Sequence, residues 1–323
     1  MKFIPQSFSS LCLSLALLAA GLFCQTAALA ADTLKIGTLP AADSLILHAA
    51  KKDGVFAAHD LDVEIVPFQS ALELGAAMRA GSLDGHFGDI INVLMQNENG
   101  APQLIVATTS HSSPKARFFG LAVRPGSPAE TLSDLRGKTC SIGRATIVDF
   151  VLDSLLEQEG AAGSLDKRDI RQIPVRLQML LSGQIESALL PEPLLSLVEA
   201  QGARVLLDDR KLALPLAVIA LKKTTSSDEA FADRIRRFRA ALAEEAARIN
   251  ADPDAYKAMM QELGLLSSKA AEHYVMLRFE EPLTPLGLPS EEDIRHYAEW
   301  MQKNRLLKKG VPALSDIVFQ DVK

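Results

Sequence analysis

Two carboxylates sit where acidic groups could hold a solute: Asp89, which follows Gly88, and Glu192, set between Pro191 and Pro193. Each comes just after a short apolar run, and each offers acceptor oxygens suited to an amine, an amidine or a ring N–H. Arg144 supplies the opposite sign, since its forked guanidinium can pair with an anionic or oxygen-rich group. Thr38, Asp43, Gln69, Ser70, Asn92, Ser112 and Thr146 add hydroxyl, carboxylate and amide groups, and Phe68 could stack on a flat ligand. Plainer roles stand beside these. Asp89 could cap a helix, Glu192 could be a solvated loop charge, Arg144 could be a surface cap, and Phe68 could be core.

Catalytic patterns are missing from the sequence. There is no G-x-S-x-G, H-E-x-x-H or C-x-x-C, and no Gly-rich loop follows a strand at the spacing a phosphate needs. His48, His59, His86 and His111 are scattered without metal-ligand spacing, so no catalytic residue, metal site or cofactor is expected. A binding role is the first reading, with an enzyme or a metal-binding protein as the alternatives.

The elements that must position these groups alternate. Thr33–Thr38 reads as a strand, Ser44–Lys52 as a helix stopped by Gly54, Asp62–Pro67 as a strand and Leu72–Arg79 as a helix before Gly81. Such alternation predicts an α/β fold with mainly parallel sheets, whose ligand loops lie beyond the strand C-termini. Sliding the chain on itself exposes an internal repeat: Met78–Asp84 matches Leu180–Glu186, with Gly81 and Gly183 separated by 102 residues. The same offset joins Gly100-Ala101 to Gly202-Ala203 and sets Asp89 opposite Pro191. Two similar lobes are expected.

Phe118–Val123 and Leu216–Leu221 are continuous apolar runs suited to buried strands, placed where the chain would cross between lobes. They divide the chain into lobe one (32–118), lobe two (124–215) and a C-terminal helical part of lobe one (222–323), with the two crossover strands as the hinge. In that last part Ser226–Glu229 has capping-box spacing, Asp252-Pro253 can start a helix that Gly264 stops, and Ser290–Asp293 begins another toward Arg305. Arg234, Arg236, Arg237 and Arg239 are balanced by Glu244 and Glu245 and read as a solvated face.

Residues 1–30 read as a cleavable signal peptide: Lys2, an apolar run from Leu11 to Phe23 that is short for a membrane span, and Ala28 and Ala30 forming the cleavage motif. Cleavage is placed after Ala30. A lipid anchor at Cys24 fits poorly because the bulky Phe23 precedes it. Of the 323 residues 293 would remain, with a net charge of −7 against −6 for the whole chain, which argues against nucleic acid or anionic membrane as the main partner. Only Cys140 would be kept, inside the strand Thr139–Ile142, and no internal disulfide can form.

Thr131–Lys138 followed by Thr139–Ile142, the step Gly54–Phe56, Gly88-Asp89 and Pro191-Glu-Pro193 together resemble the nitrate/sulfonate/taurine and thiamine-precursor type of periplasmic binding protein. The residue before the last motif, usually aromatic there, is here Leu190. The resemblance implies two lobes with a small-molecule solute between them, a sulfonate-like anion or an aminopyrimidine-like compound. It also implies a monomer that delivers to the permease and ATPase of an ABC importer. A relative of this fold makes the thiamine pyrimidine with a cysteine-rich segment and iron, whereas this chain would keep one cysteine. The implied cleft loops are 38–43, 68–70, 88–92 and 111–113 from lobe one, with 144–147 and 191–193 from lobe two. Helices opening at the first and fifth of these would turn unpaired N–H groups toward the ligand.

Overall fold

Alternating strand and helix signals are realised as ten strands in two sheets, described in a computed structural model over residues 33–223, 229–279 and 286–321. The signal segment with Cys12, Cys24 and Ala30 lies outside the described residues, as does the Ser226 end of the proposed cap. In chain order the strands are β1 (Leu34–Thr38), β2 (Val63–Pro67), β3 (Gly85–Gly88), β4 (Gln103–His111), β5 (Phe119–Val123), β6 (Thr139–Ile142), β7 (Asp166–Asp169), β8 (Ser187–Pro191), β9 (Arg204–Asp208) and β10 (Pro215–Lys222). The first sheet runs β2-β1-β3-β10-β4 and the second β7-β6-β8-β5-β9. Both orders have the same plan. Three strands pair in parallel, one strand enters antiparallel beside them, and a fifth pairs antiparallel with that one. Four strands of each sheet therefore point one way. We call the sheets with their flanking helices lobe one and lobe two.

Helices fill the gaps: α1 (Leu45–Lys52), α2 (Val55–Ala58), α3 (Ala71–Arg79), α4 (Ile90–Glu98), α5 (Ile147–Gln158), α6 (Ile173–Leu181) and α7 (Leu194–Glu199). The repeat is visible in their bounds, because α3 and α6 begin and end at positions 102 apart. Gly81 and Gly183 close them with φ of 73° and 75°, the left-handed stop that favours glycine.

The apolar runs assigned to crossing strands lie within the sheets: β5 is hydrogen-bonded to β8 and β9, and β10 to β3 and β4. The backbone steps between sheets just before them, at 112–118 and 209–214. These segments are braced. Ser112 exchanges bonds with Leu214 (N to O, 2.9 Å; Leu214 N to Oγ, 2.7 Å), and Asp209 Oδ1 accepts from both Phe118 N and Phe119 N at 2.8 Å.

The C-terminal part forms α8 (Glu229–Ala251), α9 (Pro253–Glu262), α10 (Ser268–Ala271), α11 (Glu291–Lys303) and α12 (Leu314–Ile317). Asp252 caps α9 and Ser290 with Asp293 boxes α11, as their spacing predicts. The apolar stripe of α8 packs on lobe one, with Phe238 stacked on Phe56 at 5.4 Å. Two helices also reach lobe two: α10 packs on α7, while α11 packs on α4 and meets α5 through Tyr297 against Phe150 (4.3 Å) and Trp300 Nε1 donating to Asp153 (2.9 Å). Among the described residues, no helix is long and apolar enough to cross a membrane.

Candidate functional site

Four strands aim their C-terminal ends at one place. β1 leads through Leu39–Ala41 to a short turn carrying Asp43, β3 leads to Asp89, β6 leads to Gly143–Thr146, and β8 leads to Glu192. Between these loops lies a cavity of about 140 Å³. Its apolar wall includes Phe87, Phe118, Phe119, Ile147 and Leu216, the last from β10 and the phenylalanines at 118 and 119 from the entry to β5. The lobes touch around it: Ala42 N donates to Glu192 O (3.0 Å), Ile173 N to Gln69 O (3.2 Å), and Gln172 Nε2 to Glu73 (3.2 Å).

Six of the residues expected to meet a solute line this cavity: Asp43, Asp89, Asn92, Arg144, Thr146 and Glu192. Asp89 caps α4, its Oδ1 accepting from Asn92 N at 2.7 Å, while Oδ2 faces Ile147 N across the cleft at 3.4 Å. One side chain thus caps α4 and reaches the start of α5 on the other side of the cavity. Burial pushes its pKa up to about 6. Asp43 accepts from Thr109 Oγ1 at 2.8 Å, and burial raises its pKa as well. Asn92 Oδ1 accepts from Gln96 Nε2 at 3.4 Å.

Glu192 lines the cavity but its carboxylate is engaged. Oε1 accepts from Arg117 Nε (2.7 Å) and Oε2 from Ser196 N (3.1 Å), with Ser196 Oγ bonded to both oxygens. Arg117 also pairs with Glu199. Arg144 sends Nη2 to Lys167 O (3.1 Å) and its N–H to Asp169 (3.0 Å), which leaves its exposed head tied to lobe two. Thr146 caps α5 by accepting from Val148 N at 3.2 Å. Ala145 beside it holds φ of 60°, an unusual left-handed position for a side-chain residue, with its N–H on Asp149 at 2.9 Å.

The other five stand outside the cavity lining. Thr38 is buried at the end of β1. Phe68 packs against Leu74, Met78 and Leu83, the core role. Ser70 caps α3 through Glu73 N at 3.2 Å. Gln69 contributes a backbone clasp to α6, and Ser112 lies at the start of the segment that steps between the sheets. Cys140 is buried in β6, and burial pushes its thiol up to about 12. No group of three or more His, Cys, Asp or Glu among the described residues is disposed to hold a metal.

Residues 41–256, most of both lobes, match the family model described as NMT1/THI5 like. The chain belongs to the NMT1/THI5-like family. This NMT1/THI5-like chain is similar in structure to the alkanesulfonate-binding protein SsuA from Xanthomonas axonopodis pv. citri bound to MOPS, with a TM-score of 0.73 at 19% identity over 88% of this chain and 97% of that one. It is also similar to the periplasmic aliphatic sulphonate binding protein SsuA from Escherichia coli (TM-score 0.69, 19% identity, 88% and 97% covered). A third similar structure is the ligand binding component of an ABC-type import system from Staphylococcus aureus with zinc bound (0.69, 17%, 89% and 96%). These likenesses establish the two-lobed fold. No curated protein matches the chain in sequence.

Three arginines lining this NMT1/THI5-like cleft escaped the sequence reading, Arg79, Arg171 and Arg176, and the last is fully buried. Arg176, on α6, lines the cavity beside Gly143 and is 1% exposed. It lies in the helix's buried stripe with Ile173, Leu177 and Leu180, so the signal was a charge at an apolar position of a 3.6-residue pattern.

Proposed function

We propose that this chain is the extracytoplasmic solute-binding component of an ABC importer, capturing a small polar organic solute between its lobes. The observation that carries the reading is the cavity itself, bounded by strand ends of both sheets and clasped by bonds from each lobe to the other. Cleft closure on a solute would shift the population toward a state that a permease recognises. A sulfonate-like anion or an aminopyrimidine-like compound is the proposed cargo, and the structural resemblance to sulfonate-binding proteins supports the first. The same reading has a monomer that acts in the periplasm after cleavage following Ala30, binds without turnover, and serves a permease and ATPase. Its lobes are proposed to divide at 32–118, 124–215 and 222–323.

The test is a thermal-shift screen of alkanesulfonates, aminopyrimidines, amino acids and inorganic anions, followed by calorimetric titration of the best hit. The expected result is a midpoint that climbs with ligand concentration as mass action requires, with the compound recovered unchanged. Chemical conversion of the compound would overturn the proposal.

A further inference from the structure

The repeat places a leucine and an arginine at the same buried position. An offset of 102 carries Leu74 to Arg176, Met78 to Leu180 and Leu83 to Ile185. In lobe one the three form a closed apolar cluster. In lobe two Leu180 and Ile185 are buried likewise, yet the position of Leu74, itself 0% exposed, is taken by an arginine only 1% exposed. Packing alone is met by a leucine there, since the sister lobe uses one.

The guanidinium is underpaired. Nη1 donates to Ile170 O at 2.8 Å, while Nε and Nη2 are buried without a hydrogen-bond partner among the described residues. Asp169, an acid near enough to influence it, gives its oxygens to Arg144 N and Arg171 Nε. Burial lowers the pKa to about 10, which still leaves a cation at neutral pH. The free pair of donors is the side edge of the fork, the edge that grips two oxygens of one acid group in parallel. A methyl group placed on Gly143 would lie 3.6 Å from Nη1, which sets the guanidinium against the loop that opens α5. That loop and Arg176 share the cavity wall.

We infer that Arg176 is the anion anchor of the cleft, taking a sulfonate or carboxylate head group on Nε and Nη2 while the rest of the solute lies along the apolar wall. This rests on the solute-binding reading and narrows it, because a neutral aminopyrimidine lacks the head group. On the opposite wall Asp89 and Asp43 are acceptors when ionised and stand beside Asn92, Gln96 and Arg79, so the far end of the solute meets acceptors suited to an N–H or O–H as well as donors. A buried cation with two idle donors is costly to keep, more so than one lost hydrogen bond to a carbonyl. The anchor should therefore lower the stability of the ligand-free protein in return for its grip on the anion.

Butanesulfonate, butanoate and butanol, a matched series, are titrated calorimetrically into the wild type, Arg176→Leu and Arg176→Lys, with unfolding midpoints recorded in their absence. The wild type should bind the anions and ignore the alcohol. Arg176→Leu, which restores the residue of lobe one, should lose about a hundredfold in anion affinity and unfold at a higher temperature than wild type without anion. Arg176→Lys should recover part of the affinity. The anchor is overturned if Arg176→Leu binds the anions as wild type does, if it is less stable than wild type without them, or if wild type ignores both anions. Tight binding of an aminopyrimidine by both wild type and Arg176→Leu would discard the anchor and keep the binding-protein reading. Conversion of a compound in the panel would instead discard the binding-protein reading.

Discussion

Asp89 and Glu192 follow the corresponding strands of the two lobes, β3 and β8, yet they do different work. Asp89 spends one oxygen on the cap of α4 and turns the other across the cleft. Glu192 gives both to protein partners, to Arg117 on the crossing segment and to Ser196 at the start of α7. A carboxylate at the mouth of a strand can thus be engaged by a cation of the protein itself, as Arg117 engages Glu192. Lobe two also brings Arg176 to the cavity wall, with Nε and Nη2 unpaired among the described residues.

The strongest way to break this comparison is Glu192→Ala. It leaves Ser196 N without its carboxylate and Arg117 with Glu199 alone, and removing one partner of a buried pair costs about 3 kcal/mol. Denaturant unfolding measures it. A variant as stable as wild type that has lost solute affinity would show Glu192 to be a ligand group after all.

Asp89→Asn sharpens the other side through pH. The folded pKa of Asp89, about 6, lies above the ordinary aspartate value because burial disfavours the charge. Its protonated form thus favours the fold, a contribution complete below the unfolded value and lost as pH rises through about 6. Asparagine can still cap α4 and carries no charge to bury, so the variant should exceed wild type by about 2 kcal/mol near pH 7.5, with the gap closing toward about pH 4. Parallel stability curves across that range would refute the assignment.

Smaller effects come from residues set apart from the contest between the two acids. Cys140→Ala should cost about 1 kcal/mol by opening a small gap in β6 and leave solute affinity unchanged, and the wild-type thiol should resist alkylation until the protein unfolds. Arg144→Ala should change stability by less than about 0.5 kcal/mol, because its head is exposed. An affinity loss there as large as that expected for Arg176→Leu would transfer the anchor to Arg144.

The doubled architecture was legible because glycine leaves a mark: Gly81 and Gly183 both need positive φ at a helix stop, and matched stops at one offset reveal matched helices. Asp43, Asp89, Asn92, Arg144, Thr146 and Glu192 could be brought to the cavity from topology alone, since strand C-termini converge there. Sequence could not show which of these side chains were already partnered. Arg117, which silences Glu192, is 75 residues from it along the chain. Phe68 is half-buried and packs against the small apolar cluster of Leu74, Met78 and Leu83. Arg176 was hidden by the habit of reading an arginine as surface, although the position it holds in the repeat belongs to a buried leucine.

The two sheets also differ in how the chain visits them. Every strand of the second lies between residues 119 and 208, whereas the first is interrupted after His111 and completed only when β10 arrives at Pro215–Lys222 to fill the gap between β3 and β4. β10 joins partners more than 100 residues upstream, a long loop to close before the contact rewards it. Assembly on a growing chain is thus ordered from the inside out. The later-encoded lobe can close first, and the lobe that begins the chain must hold two unpaired strand edges until the other has been made.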